Sequence, residues 1–196
     1  MKRSAAVFGI IGALLLAYCL YVYVDGARFQ STAKEQFRQR AEPPAPAKVE
    51  PGPSKVEPAP PARGEPVALL TIPRIGLSTV VLEGTGAGEL KRGPGHISRT
   101  PLPGEGGNFA VAGHRDSLFR PLRSIRVDDV VDVSCAGREY RYRVVSTEIV
   151  TPKDVGVLAS TGRDTLTLVP CCPFDFVGAA PQRFIVHADC ETCTAR

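Results

Sequence analysis

The chain has no tryptophan, one methionine and three histidines among its 196 residues, and only 7% of it is aromatic. Histidine chemistry therefore rests on His96, His114 or His187 alone. No zinc-finger spacing and no phosphate-binding glycine loop occurs, so zinc-borne DNA recognition and P-loop nucleotide binding have no sequence basis. Charge of one sign is not massed either. The net charge is +4 and the basic residues are scattered, mostly arginine, which argues against a nucleic-acid footprint.

Glycine (19) and proline (18) are abundant. Both punctuate strands and loops more readily than they join helices, so a β-rich fold is expected. A hydrophobic content of 43% supports a packed core, and the length allows one domain with accessories. The six cysteines are Cys19, Cys135, Cys171, Cys172, Cys190 and Cys193. Four of them lie in the last 26 residues, unlike a disulfide framework spread along a small secreted domain.

The N-terminal run AAVFGIIGALLLAYCLYVYV, residues 5–24, carries no charge. As a helix it is about 30 Å long, one hydrocarbon core. Lys2 and Arg3 precede it and Tyr18, Tyr21 and Tyr23 crowd its far end. Basic residues stay inside and tyrosines favour interfaces, so the N-terminus is expected in the cytoplasm and the remainder outside. The run is longer than a cleaved signal core and no small-x-small site follows it, so an uncleaved signal anchor is expected over 1–25. Residues 26–66 then divide in two. Residues 27–40 space Phe29, Ala33 and Phe37 on one helical stripe. Residues 41–66 hold nine prolines and read as a semi-rigid spacer with a reach of roughly 80 Å.

From Val67 the texture changes to short apolar or alternating runs separated by glycine and proline. Strands are expected at 67–73, 77–84, 108–114, 130–135, 139–150, 165–170 and 183–188, with short helices near 86–92 and 116–123. Asp116 or Ser117 is the expected N-cap of the second helix. Seven or eight strands at this spacing make an all-β sandwich or barrel.

Within that frame, a histidine paired with a cysteine is a route to a nucleophilic thiolate and a proton donor. His114 ends the strand NFAVAGH, and Cys171 directly follows the strand TLTLVP. If the last two strands pair antiparallel, Arg183 lies beside Cys171, where it can hold an oxyanion or a carbonyl. On spacing alone, each of these three residues also fits a bland structural role.

Three segments carry a resemblance. TLTLVPCCPF resembles the nucleophile strand of the sortases, VAGHRDSLFRPL their histidine segment, and GAAPQRFIVHA their arginine segment. The order and the short Cys–Arg gap agree with the family, the Gly-His-Arg run and the tail from CPF through VGAAPQRFIV are most similar to class D sortases, and the likeness covers residues 67–189. The resemblance implies a closed sortase-like β-barrel of seven to eight strands with two short helices, its catalytic domain spanning 67–196. It implies Cys171 as nucleophile, His114 as acid/base and Arg183 as stabiliser of the tetrahedral oxyanion. It further implies a membrane-anchored transpeptidase that cleaves an LPxTG-type sorting signal on surface proteins. The acyl group passes to an amine from a cell-wall precursor or protein, or slowly to water, and no cofactor or metal is required. Two departures stand out: Pro170 occupies a usual threonine position and Cys172 an aromatic one.

The rival reading is a catalytically weak, membrane-tethered β-barrel that binds peptides or partners. Arg115, Asp116 and Arg120 flank His114 as candidates to orient the site by ion pairing. Cys190 and Cys193 read as a local disulfide, an inert tail or, least of all, a metal pair. Cys135, His96 and His187 read as structural residues.

Overall fold

A computed structural model describes residues 2–41, 60–160, 162–176 and 178–193. Most of the expected proline-rich spacer lies outside the described residues. Helix α1 (Lys2–Ala41) is a single 40-residue rod, so the apolar run and the stripe after it are one element. Its segment Val7–Phe37 is long and apolar enough to cross a membrane.

The strands are β1 (Pro66–Ile72), β2 (Leu77–Glu83), β3 (Gly95–His96), β4 (Asn108–Gly113), β5 (Val130–Cys135), β6 (Arg138–Val150), β7 (Thr165–Cys172) and β8 (Gln182–Cys190). They close into one barrel in the order β1-β2-β3-β4-β7-β8-β6-β5, with β5 returning to β1. Two pairings, β2 with β3 and β4 with β7, are parallel; the others are antiparallel. The all-β closed barrel expected from the sequence is thus present. The two-residue strand β3 had no signal in the sequence, because two residues show no period.

Alternation sets the interior. Tyr140 and Tyr142 point inward while Arg141 and Arg143 point out, where they pair with Asp132 at 2.8 Å and Glu191 at 2.5 Å. Leu70, Ile72, Phe109, Leu166 and Leu168 are fully buried in the same core, each contributing about 1.5–3 kcal/mol of burial energy. Burial pushes the Cys135 thiol up to about 11, so it stays a small hydrophobe.

Short helical elements stand at both places expected, but one differs in kind. Helix α2 (Ala87–Arg92) lies where the sequence places it. The second is a 3-10 turn at Arg120–Ser124 with Phe119 at its cap, not Asp116 or Ser117. Pro121 sits in its first turn, and residues 115–119 are used for a tight turn that brings the Phe119 N–H to the His114 carbonyl.

Helix α1 is docked on the barrel wall. Phe29, Ala33 and Phe37 pack against Leu69, Val80 and Leu82. Buried Gln30 fastens them: its amide donates to the carbonyls of Val80 (3.2 Å) and Arg92 (2.9 Å) and accepts from the Val80 N–H (2.8 Å) and Thr79 hydroxyl (3.1 Å). A buried amide with its hydrogen bonds made holds one register of helix against sheet.

Candidate active site

Strand β7 runs through the centre of the site, parallel to β4 on one side and antiparallel to β8 on the other. Leu166 and Leu168 face the core, so Thr165, Thr167, Val169 and Cys171 face outward by alternation. Cys171 is half-buried on the outer face, while Cys172 turns into the barrel and is 5% exposed. The vicinal pair is therefore split between two environments. Burial pushes the Cys172 thiol up; the Arg115 charge opposes this and Cys171 adds to it. A thiol held protonated is a poor nucleophile, and Cys172 is also out of reach.

Arg183 is the antiparallel partner of Cys171, residue opposite residue. Directly paired residues share a face, so both side chains stand on the outer side. The Arg183 guanidinium donates to the carbonyls of Gln182 (3.0 Å) and Ala180 (3.4 Å) through one terminal nitrogen. Its other N–H groups have no partner among the described residues. His114 follows Gly113, which pairs with Pro170, so the histidine stands level with Cys171 at the end of β4. Its ring is exposed and has no hydrogen-bond partner among the described residues. The topology thus brings His114, Cys171 and Arg183 to one rim and one face.

Pro170 leaves a mark in the sheet. Pairing of β7 with β8 lapses over Val169 and Pro170 and resumes at Cys171 in the same register. Proline has no N–H to donate to a ladder, which accounts for the gap.

Of the residues flanking His114, Arg120 makes an ion pair as expected, whereas Arg115 bonds to backbone instead. Arg115 is buried and donates to the carbonyls of Phe176 (2.7 Å) and Gly178 (2.8 Å), with its guanidinium 5.6 Å over the Phe176 ring. It thereby ties the histidine loop to the loop between Cys171 and Arg183. Arg120 makes an exposed ion pair with Asp175 on that same loop, at 3.3 Å. Sequence reasoning did not find this tie, because both of Arg115's partners are backbone carbonyls, which leave no trace in residue type.

His96 and His187 lie elsewhere, as structural residues. His187 bridges Thr167 and Glu148 on the outer face, and His96 is buried beside Glu83 and Thr100. Cys190 and Cys193 form a disulfide at the far end of β8. No group of three or more metal-ligating side chains is found among the described residues.

The sortase-domain family model matches residues 70–191, the barrel almost in full. The chain belongs to the sortase family. Among curated relatives of this sortase-family chain, Sortase D of Bacillus subtilis (strain 168) is 33% identical over 128 residues, 65% of this chain and 65% of that protein. The match thus spans a little under two thirds of that relative's length. Among solved structures, a Clostridium perfringens Sortase D5 transpeptidase shares 26% identity with a TM-score of 0.65, covering 84% of this chain and 97% of the other. Sortase E from Streptomyces avermitilis shares 32% identity with a TM-score of 0.58, covering 67% and 91%.

Proposed function

We propose that this sortase-family chain is a membrane-anchored cysteine transpeptidase acting on LPxTG-type sorting signals. The observation that carries the reading is the register of β7: it presents Cys171 outward, opposite Arg183 and level with His114, while Cys172 is turned inward. The Cys171 thiolate attacks the scissile carbonyl carbon. The free N–H groups of Arg183 bind the oxyanion of the tetrahedral intermediate. Collapse breaks the C–N bond, and His114 gives its proton to the departing amine. The thioester that remains is resolved by an amine nucleophile, whose proton His114 takes back, or slowly by water. The likeness to the Clostridium perfringens Sortase D5, a transpeptidase, supports amine transfer over plain hydrolysis.

Residues 67–196 form the catalytic domain in this reading, residues 5–24 the single membrane span and residues 26–66 the link between them. The N-terminus is cytoplasmic, on the strength of Lys2 and Arg3, and the barrel lies outside. Its partners are surface proteins bearing the sorting signal and an amine acceptor from the cell wall or another protein.

The test is incubation of the detergent-solubilised chain with an LPxTG-type peptide and an amine acceptor. Intact-mass spectrometry is expected to show a thioacyl adduct on Cys171, retained in Cys172→Ala and lost in Cys171→Ala, with turnover reduced roughly 10³-fold or more. An adduct on Cys172, or peptide binding without any adduct across varied peptides, would sink the assignment and favour the peptide-binding barrel.

A further inference from the structure

Helix α1 and the barrel diverge on the N-terminal side of Gln30. Between them lies a cleft of about 680 Å3, lined chiefly by Tyr18, Val22 and Tyr23 of α1, Leu90 and Lys91 of α2, and Leu118 from the turn after His114. The two walls are held in one relation by the buried Gln30 bonds above the cleft and by close packing of Gly26 on the Lys91 carbonyl. Tyr23 is one residue from the end of the apolar run, and Tyr18 lies about 8 Å deeper along the axis. Leu90 and Leu118 line the same cleft as these tyrosines, which favour the interface.

The chemistry of the walls is mixed. Val22, Leu90 and Leu118 give the cleft apolar walls, and Leu118 is exposed. Beside them Lys91 lines the cleft, is exposed and has no partner among the described residues. Its neighbour Arg92 is engaged, pairing with Asp25 at 3.3 Å and lying 5.6 Å over the Phe29 ring. An apolar slot continuous with the bilayer and flanked by an unpaired ammonium matches an acyl chain and its phosphate.

We propose that this cleft binds an anionic phospholipid of the leaflet around α1, its acyl chain along Val22, Leu90 and Leu118 and its headgroup phosphate at Lys91. The proposal rests on the reading of residues 5–24 as a membrane span. It seats the rim of the barrel on the bilayer: Leu118 is four residues from His114, so the candidate site opens beside the membrane surface. A sorting signal on a substrate still tethered in the same membrane meets the site there.

The absence of tryptophan provides the test. Leu118→Trp places a lone fluorophore in the cleft, and Arg138→Trp places one at the β5–β6 turn, at the opposite end of the barrel. The full chain is reconstituted in phosphatidylcholine nanodiscs doped with brominated phosphatidylglycerol or, separately, brominated phosphatidylcholine. Co-elution with the nanodisc first checks the span; failure there overturns the anchor reading itself. Given co-elution, strong quenching at position 118 with preference for phosphatidylglycerol is expected, with little quenching at position 138. Adding Lys91→Glu should lower that preference about five-fold or more, since one charge near an anionic headgroup is reversed. Equal quenching at both positions, or quenching at 118 with no headgroup preference and no effect of Lys91→Glu, overturns the proposal. Far-ultraviolet circular dichroism of each variant separates misfolding from lost binding.

Discussion

Two histidines of this chain directly follow a glycine, in GPGHIS and VAGHRD, and the fold treats them in opposite ways. His96 is 4% exposed, its Nδ1 against Glu83 at 2.5 Å and its Nε2 against the Thr100 carbonyl and hydroxyl at 2.9 Å. It also lies 5.4 Å from the Phe109 ring. His114 is exposed at a strand end, with no partner among the described residues. Each is preceded by a glycine for a steric reason, yet the reasons differ. A side chain at Gly113 would overlap the Phe119 ring, and one at Gly95 would overlap the backbone of Gly84. A histidine whose nitrogens are already satisfied holds a structure together, and one left open toward solvent is available for chemistry.

The comparison breaks most sharply on activity. His114→Ala is expected to lower kcat/KM for the peptide substrate roughly 10²–10⁴-fold while the melting temperature holds. His96→Ala is expected to do the reverse, keeping the thioacyl adduct and costing about 1–3 kcal/mol of stability as Glu83 loses its buried partner. Equal activity losses in the two variants would erase the distinction. Arg183→Ala comes next, with a loss of roughly 10²–10³-fold in kcat if its free N–H groups meet the developing oxyanion. Single-turnover mass spectrometry of adduct formation reads this step directly.

The glycines sharpen the contrast on stability. Gly113→Ala is expected to cost about 1–3 kcal/mol by denaturant unfolding, because Phe119 is fully buried and yields only partly. Gly95→Ala is expected to cost more, since the opposing atoms are backbone. The smallest effect is on acid sensitivity near His114. Arg74 binds Asp129 through two N–H groups and also donates to the Ser124 carbonyl, bracing the 3-10 turn that follows the histidine loop. The hydrogen bond from Arg74 holds the Asp129 carboxyl below the usual carboxylate range. A depressed folded value means the stabilisation is complete above the ordinary carboxylate range and drains as pH falls through the lowered value. Asp129→Asn should flatten that part of the stability–pH curve, measured by urea unfolding between mildly and strongly acidic buffers.

Much of this molecule is legible from local pattern. Alternation in EYRYRVV assigned Tyr140 and Tyr142 to one face, and they are buried while their arginine neighbours are outside. The stripe of Phe29, Ala33 and Phe37 marked the face of α1 that meets the barrel. Other features have no local period to read. The strand β3 is too short, and the second helix is a 3-10 turn after a tight loop. Arg115 bonds to carbonyls at Phe176 and Gly178, more than 60 residues away. Gln30 meets Val80 across 50 residues, so nothing near it in the chain announces its role.

By itself the sequence determined the long apolar N-terminal run, the strand alternation and the order His114, Cys171, Arg183, because hydrophobic period, charge and motif spacing are properties of neighbouring residues. That both cysteines belong to one strand and so take opposite faces came from the structure, in which β7 continues past Pro170 to Cys172. Only the tertiary structure decided which of those faces is the interior, through the strands packed beneath Leu166 and Leu168. It likewise decided which histidine is enclosed and how α1 lies on the barrel, since those depend on contacts between segments far apart in the chain. Closing the barrel is what turns a parity along β7 into a buried Cys172 and an accessible Cys171.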